Sequence, residues 1–188
     1  MKKAAGLDNG NFFPVAGARL ADEILEFMHA IGINIVYGYG LTESCATVSC
    51  FPINNRGYIV GSIGQIMPDL QVKISSEGEI LLKGKTITPG YYKRPDLTAE
   101  IIDEEGWLNT GDLGMMTIHD EIVIKGRKKD TIVLRGGENI EPLPIEMKLS
   151  ESRYIKTSVI VGQDQRYLAA LILVDEEEIK RYISRVLL

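Results

Sequence analysis

The stretch from Phe12 to Gly40 constrains the fold most, because its hydrophobic period changes twice within it. Phe12-Phe13-Pro14-Val15-Ala16-Gly17 reads as a short buried strand ending at glycine. Apolar residues then recur at Ile24, Leu25, Phe27, Met28 and Ile31, the stripe of a helix over 22–31. Gly32 is placed to cap it. Ile33 to Tyr37 is β-rich, and Gly38-Tyr39-Gly40 is expected to break that run. Strand, helix and strand in so short a stretch predict a parallel βαβ unit, since parallel neighbours need a crossover.

The texture changes from Ile59 onward. Strands are expected at 71–74 and 78–83, parted by the hairpin signal Ser75-Ser76-Glu77-Gly78. Two more are expected at 115–118 and 122–125, turning at His119-Asp120-Glu121. Residues 59–126 thus predict a small antiparallel, barrel-like unit. After the charged knot Arg127-Lys128-Lys129-Asp130 the pattern restarts. Strands are expected at 131–134, 158–161 and 168–174, a tight turn at Arg135-Gly136-Gly137-Glu138, and a helix over 142–151. Asp175 is expected to cap a final helix running through Leu188. The expected fold class is α/β (α+β overall): a βαβ part over 12–58, the barrel-like part over 59–126, and a small α+β domain. The boundary falls in the knot, giving domains at 1–128 and 129–188.

Composition narrows the function. The net charge of −5, from 21 Lys+Arg against 26 Asp+Glu, lacks the basic field of a general nucleic-acid binder, and none is expected as partner. The cysteines, Cys45 and Cys50, are too few for a disulfide framework or a zinc site and are read as reduced thiols. No apolar run is long enough to span a membrane, and Asp8, Asn9 and Asn11 interrupt any secretory signal. A cytoplasmic location is expected. His29, on the apolar helix, and His119, in a turn, have no nucleophile arranged beside them and are assigned no chemistry. Glu176-Glu177-Glu178 reads as the acidic first turn of a helix.

Three segments carry chemistry. Tyr37-Gly38-Tyr39-Gly40-Leu41-Thr42-Glu43 lies where a strand ends, the usual ligand position of an open α/β sheet. Gly38 and Gly40 would let backbone approach a ligand, Tyr39 offers a flat face, Thr42 a hydroxyl for phosphate, and Glu43 a hard oxygen for Mg²⁺. The same residues also read as a glycine-rich turn with a capping threonine. In Gly106-Trp107-Leu108-Asn109-Thr110-Gly111-Asp112, the final carboxylate would hold ribose hydroxyls, or would bond its own backbone in a hairpin turn. In Gly126-Arg127-Lys128-Lys129-Asp130 with Gly136-Gly137, the cations would neutralise phosphate, or form a solvated charge run.

Together these segments resemble the adenylate-forming enzymes: acyl-CoA synthetases, luciferases and peptide-synthetase adenylation domains. The first is similar to the family's Tyr-Gly-x-Thr-Glu signature, the second to Trp-x-x-Thr-Gly-Asp, the third to Gly-Arg-x-x-Asp. The run from Gly78 to Lys93 resembles its Gly-Glu-…-Gly-Tyr-Tyr block, in the right order and spacing. Gly-Arg-Lys-Lys-Asp and Pro-Leu-Pro-Ile-Glu146 look most like the long-chain fatty acyl-CoA ligase branch.

The resemblance implies ATP, AMP and Mg²⁺ as ligands, CoA as co-substrate, and a fatty acid or other carboxylate as substrate. It implies that Gly17 and Ala18 line the adenine pocket and Tyr39 stacks on the ring, with Thr42 at the phosphates and Glu43 at Mg²⁺. Asp112 and Arg127 would contact ribose, Lys129 would be the hinge of a C-terminal lid domain, and Gly136-Gly137 the turn brought to the thioester-forming site. The family's phosphate loop would lie upstream of Gly17, and its adenylation lysine near the end of the lid. Neither has a counterpart here, so a middle-to-late slice of a longer enzyme, inactive alone, is expected. The substrate would give it a membrane-peripheral location, and the missing neighbours an apolar surface prone to self-association. The alternatives are a non-catalytic module binding a nucleotide or a partner, an aryl or short-chain acid ligase, and an adenylation domain with a carrier protein as acceptor.

Overall fold

A computed structural model describes residues 2–11, 13–17, 20–51 and 61–186. Phe12, Ala18, the 52–58 part of the expected βαβ region, the change of texture at Ile59 and the chain end at Leu188 lie outside the described residues. The chain divides into two units, one ending at Ile124 and the other beginning at Lys125.

In the first unit, β1 (Phe13–Val15), α1 (Asp22–Ala30) and β2 (Ile35–Tyr39) form the expected parallel unit, with Phe13 opposite Ile35 and Val15 opposite Tyr37. Leu25 is the buried residue of α1, and Gly32 at φ +81 ends the helix with its N–H on the His29 carbonyl. The expected break at Gly38-Tyr39-Gly40 does not occur. β2 runs through Tyr39 because Gly38 and Tyr39 pair antiparallel with Cys50 and Ser49 of β3 (Ser49–Cys50), which in turn pairs with β4 (Gln65–Ile66). A Cβ on Gly38 would stand 3.0 Å from the Ser49 carbonyl oxygen, so glycine serves close strand approach here rather than a break. Chain reversal waits for Gly40, where any Cβ would overlap the Ala46 carbonyl.

A second sheet holds β5 (Leu70–Ile74), β6 (Glu79–Gly84), β7 (Leu108–Met116) and β8 (Ile122–Arg127), in that spatial order, and α2 (Pro95–Ile101) follows β6 along the chain, before β7. β5, β6 and β7 pair antiparallel, as the half-barrel expected from the sequence. The hairpin turn closes at Ser75–Gly78, with Gly78 at φ +86. The strand expected at 115–118 in fact begins at Leu108, opposite Leu82. Residues from both sheets and α1 share one core: Leu25, Ile35, Tyr37, Val48, Phe51, Ile80, Leu82, Leu108 and Ile122. Tyr37 and Phe51 meet edge to face at 6.0 Å, and the Tyr37 hydroxyl accepts the Leu20 N–H.

The chain leaves the first unit within β8. The second unit holds a 3₁₀ turn at Lys128–Asp130, then β9 (Ile132–Val133) and β10 (Asn139–Ile140), an antiparallel pair. Next come α3 (Pro142–Ser150), β11 (Ile155–Val161), β12 (Ala169–Val174) and α4 (Glu176–Val186). β11 and β12 pair antiparallel, and α3 packs on β11, where Glu146 Oε1 accepts the Ile160 N–H. Asp175 caps α4 as expected, its Oδ1 accepting the Glu178 N–H.

Candidate functional site

The end of β2 turns sharply into a single 3₁₀ turn, Thr42–Ser44. Ser44 ties this turn down, its Oγ accepting the Leu41 N–H at 3.0 Å. Cys45 and Ala46 follow with φ of +53 and +83, a left-handed pair that L side chains rarely adopt. The strained pair bends the chain back into β3 and leaves Thr42 exposed and Glu43 half-buried at the sheet's end.

Asp112 reaches the same region through a β-bulge. Leu108 and Asn109 pair in register with Leu82 and Leu81, but the register has shifted by the Glu79–Leu113 pair. The backbone groups released there are satisfied locally: Thr110 Oγ1 donates to the Ile80 carbonyl at 2.7 Å, and Glu79 Oε1 accepts the Gly111 N–H at 3.0 Å. Gly111 at φ +72 supplies the conformation such a bulge needs. Asp112 therefore stands within a strand and not in a hairpin turn. Its carboxylate, on a residue only 3% exposed, accepts a 2.5 Å hydrogen bond from Tyr39 Oη.

The structure thus brings Tyr39 and Asp112 together, with Thr42 and Glu43 following Tyr39 along the chain. Gly17 sits beyond β1 at φ +86 with nothing within 4 Å of a notional Cβ. Ala18 lies outside the described residues. Arg127, Lys129, Gly136 and Gly137 belong to the second unit. Arg127 and Lys129 are exposed at and within the 3₁₀ turn. Gly137, at φ +90, donates its N–H to the Leu134 carbonyl and closes the tight turn expected at 135–138.

Sequence reasoning passed over Tyr91. Its hydroxyl donates to Glu43 Oε1 at 2.5 Å, while the Thr88 N–H donates to the Glu43 carbonyl at 2.7 Å. The hydrogen bond to Glu43, then desolvation and the carboxylate's charge, raise the Tyr91 pKa above the ordinary phenol value. The signal was present in Gly90-Tyr91-Tyr92, but nothing local points to a partner so far upstream. His29 is structural, its Nε2 lying 3.2 Å from the Ile35 carbonyl. Cys45 and Cys50 are free thiols.

A metal is tested by the donor set. Among the described residues no group of three or more His, Cys, Asp or Glu converges on one point. A half-buried carboxylate such as Glu43 suits the way Mg²⁺ is usually held, by one or two carboxylates together with ligand phosphates. Among the described residues, no helix is long and apolar enough to cross a membrane.

Comparison with known proteins gives consistent matches. A model described as AMP-binding enzyme matches residues 4–92, and one described as AMP-binding enzyme C-terminal domain matches 129–186. The chain is 37% identical to a probable acyl-activating enzyme 16, chloroplastic, of Arabidopsis thaliana, covering 92% of this chain and 26% of that protein. It is 37% identical to a chloroplastic long-chain-fatty-acid–[acyl-carrier-protein] ligase of the same plant, covering 94% and 26%. It is 32% identical to a long-chain-fatty-acid–CoA ligase of Mycobacterium tuberculosis, covering 90% and 28%. The chain therefore spans about a quarter of the length of these relatives. In fold it is similar to o-succinylbenzoate CoA synthetase of Bacillus subtilis in complex with an acyl-adenylate, with a TM-score of 0.80 at 23% identity, covering 97% of this chain and 42% of that one.

Proposed function

Because this chain belongs to the AMP-binding enzyme family, we propose that it supplies the adenylate-holding part of an AMP-forming long-chain fatty acid–CoA ligase. The observation that carries this reading is the meeting of Tyr39 and Asp112, which places an aromatic face beside a carboxylate at a sheet's end. That pair suits a nucleoside, with the ring stacking on the base and the carboxylate accepting from ribose hydroxyls.

In the proposed reaction a carboxylate oxygen of the acid attacks the α-phosphorus of ATP. The bond to pyrophosphate breaks, and acyl-adenylate remains. The sulfur of CoA then attacks the acyl carbon, its proton passes to solvent, and AMP leaves. Gly17 and Ala18 would border the base, with Gly38 and Gly40 shaping the turn beneath it. Thr42 would donate to the phosphates. Glu43 would hold Mg²⁺, which supplies charge neutralisation at the phosphates. Arg127 would contact ribose, Lys129 would be the hinge between residues 1–128 and a lid at 129–188, and Gly136-Gly137 would serve the thioester step.

The fatty acid is favoured because relatives at 32–37% identity carry that name. CoA is favoured as acceptor over a carrier protein by the majority of those names. A second reading, a nucleotide-binding piece without turnover, is favoured for these 188 residues by their covering about a quarter of the relatives. Calorimetric titration with AMP tests the proposal. Binding by the chain that Asp112→Ala removes is expected. Absence of binding, or binding untouched by Asp112→Ala, would overturn it.

A further inference from the structure

The turn at residues 88–91 grips Glu43 at two points, and we propose that Tyr91 is a positioning residue that sets how tightly Glu43 holds a divalent cation. The inference rests on the reading of Glu43 as the metal carboxylate. Thr88 fixes the backbone of Glu43 through its N–H at 2.7 Å, and Tyr91 fixes the side chain through its hydroxyl at 2.5 Å. One segment thus holds both ends of the residue, leaving the carboxylate few orientations.

The turn itself is rigidly made. Thr88 Oγ1 accepts the Gly90 N–H at 3.2 Å, and Thr98 Oγ1 accepts the Tyr91 N–H at 2.9 Å. Thr98 in turn donates to the Arg94 carbonyl, and the Arg94 N–H to the Tyr91 carbonyl. Gly90 makes the approach feasible: at φ +142, a Cβ there would stand 2.6 Å from Thr98 Cγ2 and 2.7 Å from Thr98 Oγ1. Ile87, just before the turn, packs against the core of the first unit. Tyr91 is thereby anchored although 39% of it is exposed.

The chemistry follows from dividing the carboxylate. Tyr91 occupies Oε1 as a donor, and Oε2 is left to present lone pairs to a hard cation. A hydrogen bond from outside the coordination sphere orients a carboxylate ligand, and its loss typically costs 10–100-fold in metal affinity. Tyr92, 87% exposed, makes no such contact and serves as the control.

The test is an amide NMR titration of the 188-residue chain with AMP present and Mn²⁺ as the probe, reading selective broadening at Thr42 to Ser44. Wild type and Tyr92→Phe are expected to share one midpoint. Tyr91→Phe is expected to raise it about tenfold, and Glu43→Gln to abolish it. Thr98→Val, which keeps the phenol but frees its backbone, is expected to fall between, and carries the test if Tyr91→Phe does not fold. A Tyr91→Phe midpoint equal to wild type, with Glu43→Gln abolishing broadening, would overturn the positioning role alone. Broadening that survives Glu43→Gln, or is absent from wild type, would overturn the metal reading beneath it.

Discussion

Tyr39 and Asp112 lie 73 positions apart and meet through a 2.5 Å hydrogen bond from phenol to buried carboxylate. A donor to an ionised group contributes about 1.5–3 kcal/mol net. Tyr39→Phe removes that donor while keeping the aromatic face. Urea unfolding should show it less stable by about 1–3 kcal/mol. AMP affinity should fall less in Tyr39→Phe than in Asp112→Ala, because the aromatic face survives in both but the carboxylate that accepts from ribose survives only in the former. Equal loss in both would mean that the carboxylate serves the ligand only while the phenol hydroxyl holds it in place.

Gly40 and Gly38 separate two uses of glycine. Neither has a positive φ, so any penalty on adding a methyl is steric. At Gly40 the methyl overlaps the Ala46 carbonyl, backbone that cannot swing aside. Gly40→Ala should destabilise the chain by more than about 3 kcal/mol. At Gly38 the methyl meets the Ser49 carbonyl oxygen at 3.0 Å, and Gly38→Ala should cost about 1 kcal/mol. Thermal melts that rank them the other way would show that the turn after β2 is looser than described.

The Tyr91–Glu43 bond has a pH signature. The phenol's pKa in the folded chain is raised, so the protonated form is favoured on folding. Its contribution is whole below the ordinary phenol value near 10 and is lost as pH rises through the folded value above it. Absorbance of tyrosinate should include a step above the ordinary phenol value that belongs to Tyr91. That late step should vanish in Tyr91→Phe. The stability gap between wild type and Tyr91→Phe should narrow above pH 10, and a gap that widens there would contradict the bond.

Legibility followed sequence distance. The Ser75–Gly78 turn, the Gly32 cap and the Asp175 cap were readable because their signals and partners lie within a few residues. Gly38 was misread as a breaker because its reason for being glycine, the Ser49 carbonyl, comes from another strand. The start of β7 was hidden by the bulge at Thr110–Asp112, whose polar and glycine residues look like a turn. α2 was missed because it buries no residue and so shows no apolar stripe, although Pro95 and Asp96 mark its first turn. The motif residues were readable as types, but the Tyr39–Asp112 and Tyr91–Glu43 contacts were not, since each spans dozens of positions.

The 3₁₀ turn at Lys128–Asp130 follows the division between the two units by only a few residues. A hinge needs few residues to absorb a change in φ and ψ, and proline at Lys129 would fix φ near −65°. In a complete ligase carrying this segment, Lys129→Pro should slow thioester formation more than acyl-adenylate formation. Pyrophosphate release and thioester yield, measured separately, decide it. Equal loss of both half-reactions would remove the hinge from Lys129.

The second unit carries an apolar strand with little cover. All six residues of β12 are exposed, with Leu171 at 65% and Leu173 at 55%. β12 pairs with β11 on one side, and among the described residues no strand pairs with its other edge. An exposed apolar edge strand is a template for a second copy of the same strand. The 188-residue chain should therefore self-associate through β12, seen as a mass that rises with concentration in sedimentation equilibrium. Leu173→Lys places a charge on that strand and should return the chain to monomer. A wild-type chain that stays monomeric across the accessible range would show that the edge is protected by its twist or by its short length.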